Sequence, residues 1–153
     1  MAADKLTPRK LKALVGQEIG LSDWFPVTQE RVDAFAECTE DRQWIHVDRA
    51  RAAEGPNGGT VAHGFLLLSL LPYWLGRSAL LQEGFRMAVN YGLNRVRFIS
   101  PVRTGARVRN RAVLRSVERR GFRRMLATVE NTIEVEGGDR PAAVAELLIL
   151  LVF

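Results

Sequence analysis

Val61-Ala-His-Gly-Phe-Leu-Leu-Leu-Ser-Leu-Leu-Pro-Tyr-Trp-Leu75 is the stretch whose reading decides the fold. From Phe65 onward it is apolar on every side of a helical projection, and such a helix is buried rather than laid on a surface. Pro72 has no backbone N–H to give, so it kinks this helix or starts a new turn. Gly55-Pro-Asn-Gly-Gly59 marks a loop just before it. Downstream, residues 87–96 (interrupted by Gly92), 106–118, 122–135 and 142–152 read as strands, with Arg119-Arg-Gly121 and Gly137-Gly-Asp139 as hairpin turns. Val108, Ala112 and Leu114 share one face, and Met125, Ala127, Val129, Ile133 and Val135 share one face of the next strand. The last strand is almost wholly apolar, as expected of a strand covered on both faces. The pattern predicts an α+β fold in which a curved antiparallel sheet wraps a central apolar helix.

Upstream, Thr28 suits an N-cap, Glu30 and Asp33 favour a helix start, and Val32, Phe35 and Ala36 form an apolar stripe, so residues 29–38 read as a helix. Asp48 suits the cap of a second short helix over 49–54. Between them lies Asp41-Arg-Gln-Trp-Ile-His46-Val-Asp48. A carboxylate and an imidazole that share a water form a proton-handling pair. Gly64, at the head of the apolar helix, offers a free backbone N–H to a developing oxyanion. By spacing alone, Asp41 and His46 read more readily as a solvated capping acid and an exposed histidine. Taken with Gly64 they point to water addition to, or removal from, an activated acyl group.

The chain resembles the MaoC-like dehydratases, the (R)-specific enoyl-CoA hydratases of the hot-dog fold, and within them the nodulation-protein-N-like branch. The resemblance rests on Val27-Thr-Gln-Glu-Arg-Val-Asp-Ala-Phe-Ala36, the Asp41 to Asp48 stretch, Thr60-Val-Ala-His-Gly-Phe-Leu-Leu-Leu-Ser-Leu71, Asn90-Tyr-Gly-Leu-Asn-Arg-Val-Arg-Phe98 and Pro101-Val102. Glu40 stands where the family commonly has Gly, and Gln43-Trp44 replace its Asn-Pro. The resemblance implies the hot-dog fold, Asp41 and His46 as the catalytic pair, Gly64 as the oxyanion donor, a (3R)-hydroxyacyl product, no metal and no redox cofactor. It also implies a homodimer with a ligand tunnel at the subunit boundary, the segment 87–96 pairing with its own copy. His63 reads as structural or pocket-lining. Ser69 sits on the helix where some relatives place a serine near the acyl group. Asn90 and Tyr91 line the tunnel or are half-buried strand residues. Arg95, Arg97 and Arg103 are candidates for the phosphates of coenzyme A, since Arg suits phosphate geometry. Trp44 reads as a packing residue beside the site loop.

Composition bounds the rest. A chain of 153 residues, 47% hydrophobic and 25% charged, suits a single globular domain, with residues 1–13 as a loosely packed extension. No segment resembles a signal peptide or a membrane helix. Cys38 is the only cysteine, so neither an internal disulfide nor a thiolate metal cluster is possible, which favours the cytoplasm. The net charge is +5, with arginines crowded from Arg95 to Arg124. They alternate along strands without interleaved aromatics, so a solvated sheet face fits better than a nucleic-acid footprint. The rival functions are an acyl-CoA thioesterase and a non-catalytic acyl-binding subunit. The Asp41/His46 pairing argues against both.

Overall fold

Alternating burial along the long strands explains why the second half of the chain forms a sheet. A computed structural model describes residues 5–81 and 83–153. Its long strands are β3 (Met87–Phe98), β4 (Arg107–Arg119), β5 (Arg124–Val135) and β6 (Ala143–Val152). Two short strands precede them, β1 (Glu18–Leu21) and β2 (Phe25–Pro26). The order is β1-β4-β5-β6-β3, with β2 also against β4 and every pairing antiparallel. Register shifts between Asn90 and Gly92, Leu93 and Arg95, and Leu114 and Ser116 are bulges, which add twist and bend the sheet. The strand through Gly92 is therefore bulged rather than broken.

The inner face carries Val108, Ala112 and Leu114 of β4 and Met125, Ala127, Val129 and Ile133 of β5, as the alternation requires. On β6, Ala143, Ala145, Leu147, Ile149 and Leu151 are buried, whereas the alternate residues are only half-buried. The expectation of a strand covered on both faces is thus corrected. No second layer lies on the outer face among the described residues, and neighbouring side chains shade it only in part. Cross-strand carboxylates neutralise the outward arginines: Arg109 and Arg111 hold Glu134 at 2.7 and 2.9 Å, Arg115 holds Glu130 at 2.6 Å, and Arg107 pairs with Glu136. For these four the solvated sheet face is the right reading.

The helices are α1 (Pro8–Ala13), α2 (Gln29–Thr39), α3 (Trp44–Val47), α4 (Arg49–Ala53), α5 (Gly64–Ser69) and α6 (Leu71–Leu75). Thr28 caps α2 and Asp48 caps α4, each side chain accepting from the N–H three residues on. The expected central helix is two helices, because Pro72 falls at the start of α6 and cannot continue the α5 ladder. It is not buried all round either. Leu67, Leu71, Trp74 and Leu75 lie against the sheet, while Phe65 is 68% and Tyr73 48% exposed. A single sheet covers only one side of this segment, whatever its composition. No helix among the described residues is long and apolar enough to cross a membrane.

The N-terminal segment also differs from expectation. Residues 1–4 lie outside the described residues, but from Leu6 onward the chain is packed. Leu6 and Leu11 are buried in the main core, and Gly16 N–H donates to Leu114 O at 2.7 Å. A run of polar residues hid two apolar anchors spaced too widely to signal a stripe. Leu11→Ala removes a side chain with 0% exposure, and such truncations cost about 2–5 kcal/mol. Urea unfolding of the variant is expected to show a loss in that range. A loss below about 1 kcal/mol would restore the loosely packed extension.

Candidate active site

The site is assembled by two backbone contacts to one residue. The one-turn helix α3 packs between α2 and the loop that leads to α5. Ile45 O accepts from Val61 N–H at 3.0 Å, and His46 Nδ1 lies 2.6 Å from Val61 O. A carbonyl can only accept, so His46 Nδ1 carries the proton and Nε2 carries the lone pair. Ala62 N–H then donates to Val102 O at 2.8 Å, and the chain delivers His63 and Gly64 to the start of α5. Gln29 ties α2 to the same point. Its Nε2 donates to His46 O at 2.8 Å and to Asp33 Oδ1 at 2.7 Å, and its Oε1 accepts from Thr60 Oγ1, which contacts Thr104 Oγ1 at 2.7 Å.

Asp41 follows the αL C-cap of α2, formed by Glu40 at φ 62°. That conformation favours glycine, which accounts for the glycine common in the family at this position. Here Arg42 holds Glu40 and also Glu37, the latter at 2.8 Å, and so restrains the turn. The Asp41 side chain is exposed, while His46 and His63 are buried. Asp41, His46 and His63 bring ligating atoms within 4.8 Å of one another. One water bridging two hydrogen bonds of about 2.8 Å spans such a gap. Burial pushes the His46 imidazole down from its ordinary pKa; the Val61 carbonyl opposes this, the neighbouring His63 adds to it, and Asp41 opposes it. The outcome is a base that is neutral near neutral pH.

Two features of the same three side chains disfavour a shared metal ion. The His46 and His63 rings are stacked, centroids 3.7 Å apart and 23° from parallel. Ring nitrogens bind metals in the ring plane, and two nearly parallel planes do not converge on a nearby ion. His46 Nδ1 and His63 Nε2 are each engaged with a backbone carbonyl besides. The geometry is that of a proton-handling pair.

Gly64 is the first residue of α5, so its N–H has no acceptor within the helix. A Cβ built there would lie 2.8 Å from the Phe98 ring. Beside it, an apolar groove of about 340 Å³ runs between α5–α6 and β3 and is lined by Phe65, Ser69, Asn90, Tyr91 and Leu93. The structure thus brings Ser69, Asn90 and Tyr91 together, although the Ser69 hydroxyl donates to Leu66 O. Arg95, Arg97 and Arg103 do not line this groove. Arg97 folds onto Val96 O, and Arg103 donates to Gly58 O across the loop before the site. Trp44 packs as expected, under the Arg51 guanidinium and against Gly55. A larger concavity of about 530 Å³, between Pro8 and Phe122, contains none of the site residues. Sequence reasoning missed Gln29 and Thr60, since nothing local marks a glutamine that reaches a carbonyl 17 residues away.

Residues 10–137 match the family model described as MaoC like domain. The chain belongs to the MaoC-like dehydratase family. It is 50% identical over 139 residues to the 3-hydroxyacyl-thioester dehydratase Z of Mycobacterium tuberculosis, covering 91% of each chain. It is 47% identical over 142 residues to Nodulation protein N of Rhizobium leguminosarum bv. viciae, covering 91% of this chain and 87% of that one. Among solved structures it is similar to the (R)-hydratase from A. caviae involved in PHA biosynthesis, with TM-score 0.71, 25% identity, and coverage of 87% of this chain and 95% of that one. The fold is the hot-dog fold, with a sheet that is not closed.

His46 resists protonation in the folded chain, so on acidification the unfolded chain binds that proton first. This contribution to stability is complete above about pH 6.5, the ordinary histidine value, and is lost as pH falls from there through the depressed folded value. Urea midpoints measured from about pH 8 to about pH 5 are expected to fall more steeply for the wild type than for His46→Asn. Parallel curves would mean that His46 titrates normally.

Proposed function

We propose that this protein interconverts trans-2-enoyl-CoA and (3R)-hydroxyacyl-CoA in fatty-acid metabolism, with Asp41, His46 and Gly64 carrying the reaction. The observation that supports it most is the pairing of an exposed carboxylate with a buried, neutral imidazole, their ligating atoms within 4.8 Å of each other. The thioester carbonyl oxygen faces the Gly64 N–H, and that contact strengthens as negative charge builds on the oxygen. Water is held between the Asp41 carboxylate and His46 Nε2. As its oxygen bonds to C3, its proton passes to the pair, and the π electrons shift toward C2 and the thioester oxygen. The pair returns a proton to C2. One water is added, and the reverse sequence is dehydration. The thioester itself activates C2 and C3, so this reading includes no metal and no redox cofactor. It also places the enzyme in the cytoplasm.

Hydration of crotonyl-CoA and longer enoyl-CoAs, followed by loss of absorbance of the conjugated thioester, tests the assignment. Asp41→Asn and His46→Ala are each expected to cut turnover by about 10²–10⁴-fold in a folded protein. Gly64→Val, which drives a side chain toward the Phe98 ring, is expected to lower kcat and raise KM together. Near-normal activity in either pair variant would sink the assignment.

The working unit in this reading is a homodimer. β3 is the long edge of the sheet, and it exposes Met87, Val89, Tyr91, Leu93 and Phe98. An edge of that length and apolarity invites pairing. A second β3 laid against it across a two-fold axis would cover the groove and turn it into a tunnel. Arg95 and Arg97 on that strand would then stand at the subunit boundary, in reach of coenzyme A phosphates. Light scattering at micromolar concentration is expected to give twice the chain mass. A fully active monomer there would refute the dimer.

A further inference from the structure

The chain has two histidines, and the fold stacks them on each other. His63 is the more deeply buried, at 3% exposure against 6% for His46. One face of its ring lies on His46, and the other meets Phe35 at a centroid distance of 5.0 Å. Its Nε2 lies 2.9 Å from the backbone carbonyl of Asp41. That carbonyl belongs to the stretch 40–43, which has neither helix nor strand to hold it.

We propose that His63 is the positioning residue of this site, holding the Asp41 loop through its Nε2–H and fixing and covering the His46 ring without touching substrate. Aromatic stacking sets ring planes, and a hydrogen bond to a carbonyl sets tautomers. With the proton on Nε2, the His63 Nδ1 carries only a lone pair. That atom is buried and has no partner among the described residues. As a lone pair it is tolerated; protonated, it would be a buried N–H with no acceptor. The titratable groups facing the two rings are Asp41 and each other, and Phe35 is neutral. His63 also shields one face of His46 from water, which keeps the His46 imidazole neutral near the working pH. Removing the ring admits water, and removing the donor frees the carboxylate loop.

Two variants separate these effects. His63→Phe keeps the stack and drops the bond to Asp41. His63→Gln keeps a donor and drops the ring. This proposal rests on the hydratase reading for its kinetic arm alone. Each variant is expected to lower kcat by about 10-fold or more, with KM changed less than about 2-fold, because misplaced groups lose rate before they lose binding. Unchanged kcat in both, or a rise in KM with kcat intact, would overturn it. The second arm is NMR of the ring nitrogens, needing no substrate. In the wild type, His63 is expected in the Nε2–H tautomer. In either variant, the one remaining histidine signal is His46. Its midpoint is expected to rise in His63→Gln, where water reaches the ring, and to stay near wild type in His63→Phe. The acid limb of kcat/KM should move with it. An Nδ1–H tautomer for His63, or an unmoved midpoint in His63→Gln, overturns the proposal even if His63→Phe does not fold. A wild type that hydrates no enoyl thioester would sink the functional reading and leave the spectroscopic arm standing.

Discussion

Both backbone groups of Val61 are taken by a single turn of helix, and the site depends on that double contact. The N–H goes to Ile45 O and the carbonyl to the His46 ring. Hydrogen bonds to the two peptide groups flanking Val61 leave it little freedom to slide or rotate. Because Gly64 is three residues on, the same clamp sets the head of α5 relative to His46. Gln29 reinforces it from α2, and the bridge between Val61 and Arg103 connects it to the chain leaving β3. The bonds are buried or half-buried, where leaving a partner unpaired costs roughly 1–3 kcal/mol. A modest set of contacts therefore imposes one arrangement on segments far apart in sequence.

Around this clamp the chemistry separates by burial. Asp41 is exposed to water, while His46 is enclosed and favours its neutral form. Gly64 contributes through space rather than through backbone freedom, since the Phe98 ring occupies the volume a side chain would need. Glu40 shows the opposite case. There the backbone takes a left-handed turn, and the chain accommodates glutamate by pairing it with Arg42.

Much of this was legible along the chain. The Thr28 and Asp48 caps and the four long strands follow from local signals, a cap oxygen and a period of two, whereas Asp41, His46 and Gly64 stood out only beside the wider family resemblance. What was misread shares one cause. The 65–75 segment read as buried all round because composition reports how apolar a face is, not whether anything covers it. The same error put the final strand under two layers. Leu6 and Leu11 were overlooked because their burial depends on β4 and on Glu83, whose carbonyl accepts from Leu6 N–H. Arg95, Arg97 and Arg103 looked alike in sequence, yet in the fold Arg103 reaches the Gly58 carbonyl and Arg97 the Val96 carbonyl.

The sequence by itself determined the elements and the apolar surfaces that drive them together, because periodicity and capping act over a few residues. Only the tertiary structure decided which nitrogen of His46 carries the proton, that His63 lies flat against it, and that α5 shows one face to the sheet and the other to the open edge. Those outcomes depend on contacts such as His46 with Val61 and Gln29 with Thr60, whose partners are 15 and 31 residues apart. Such pairings form only when the whole chain closes around one core.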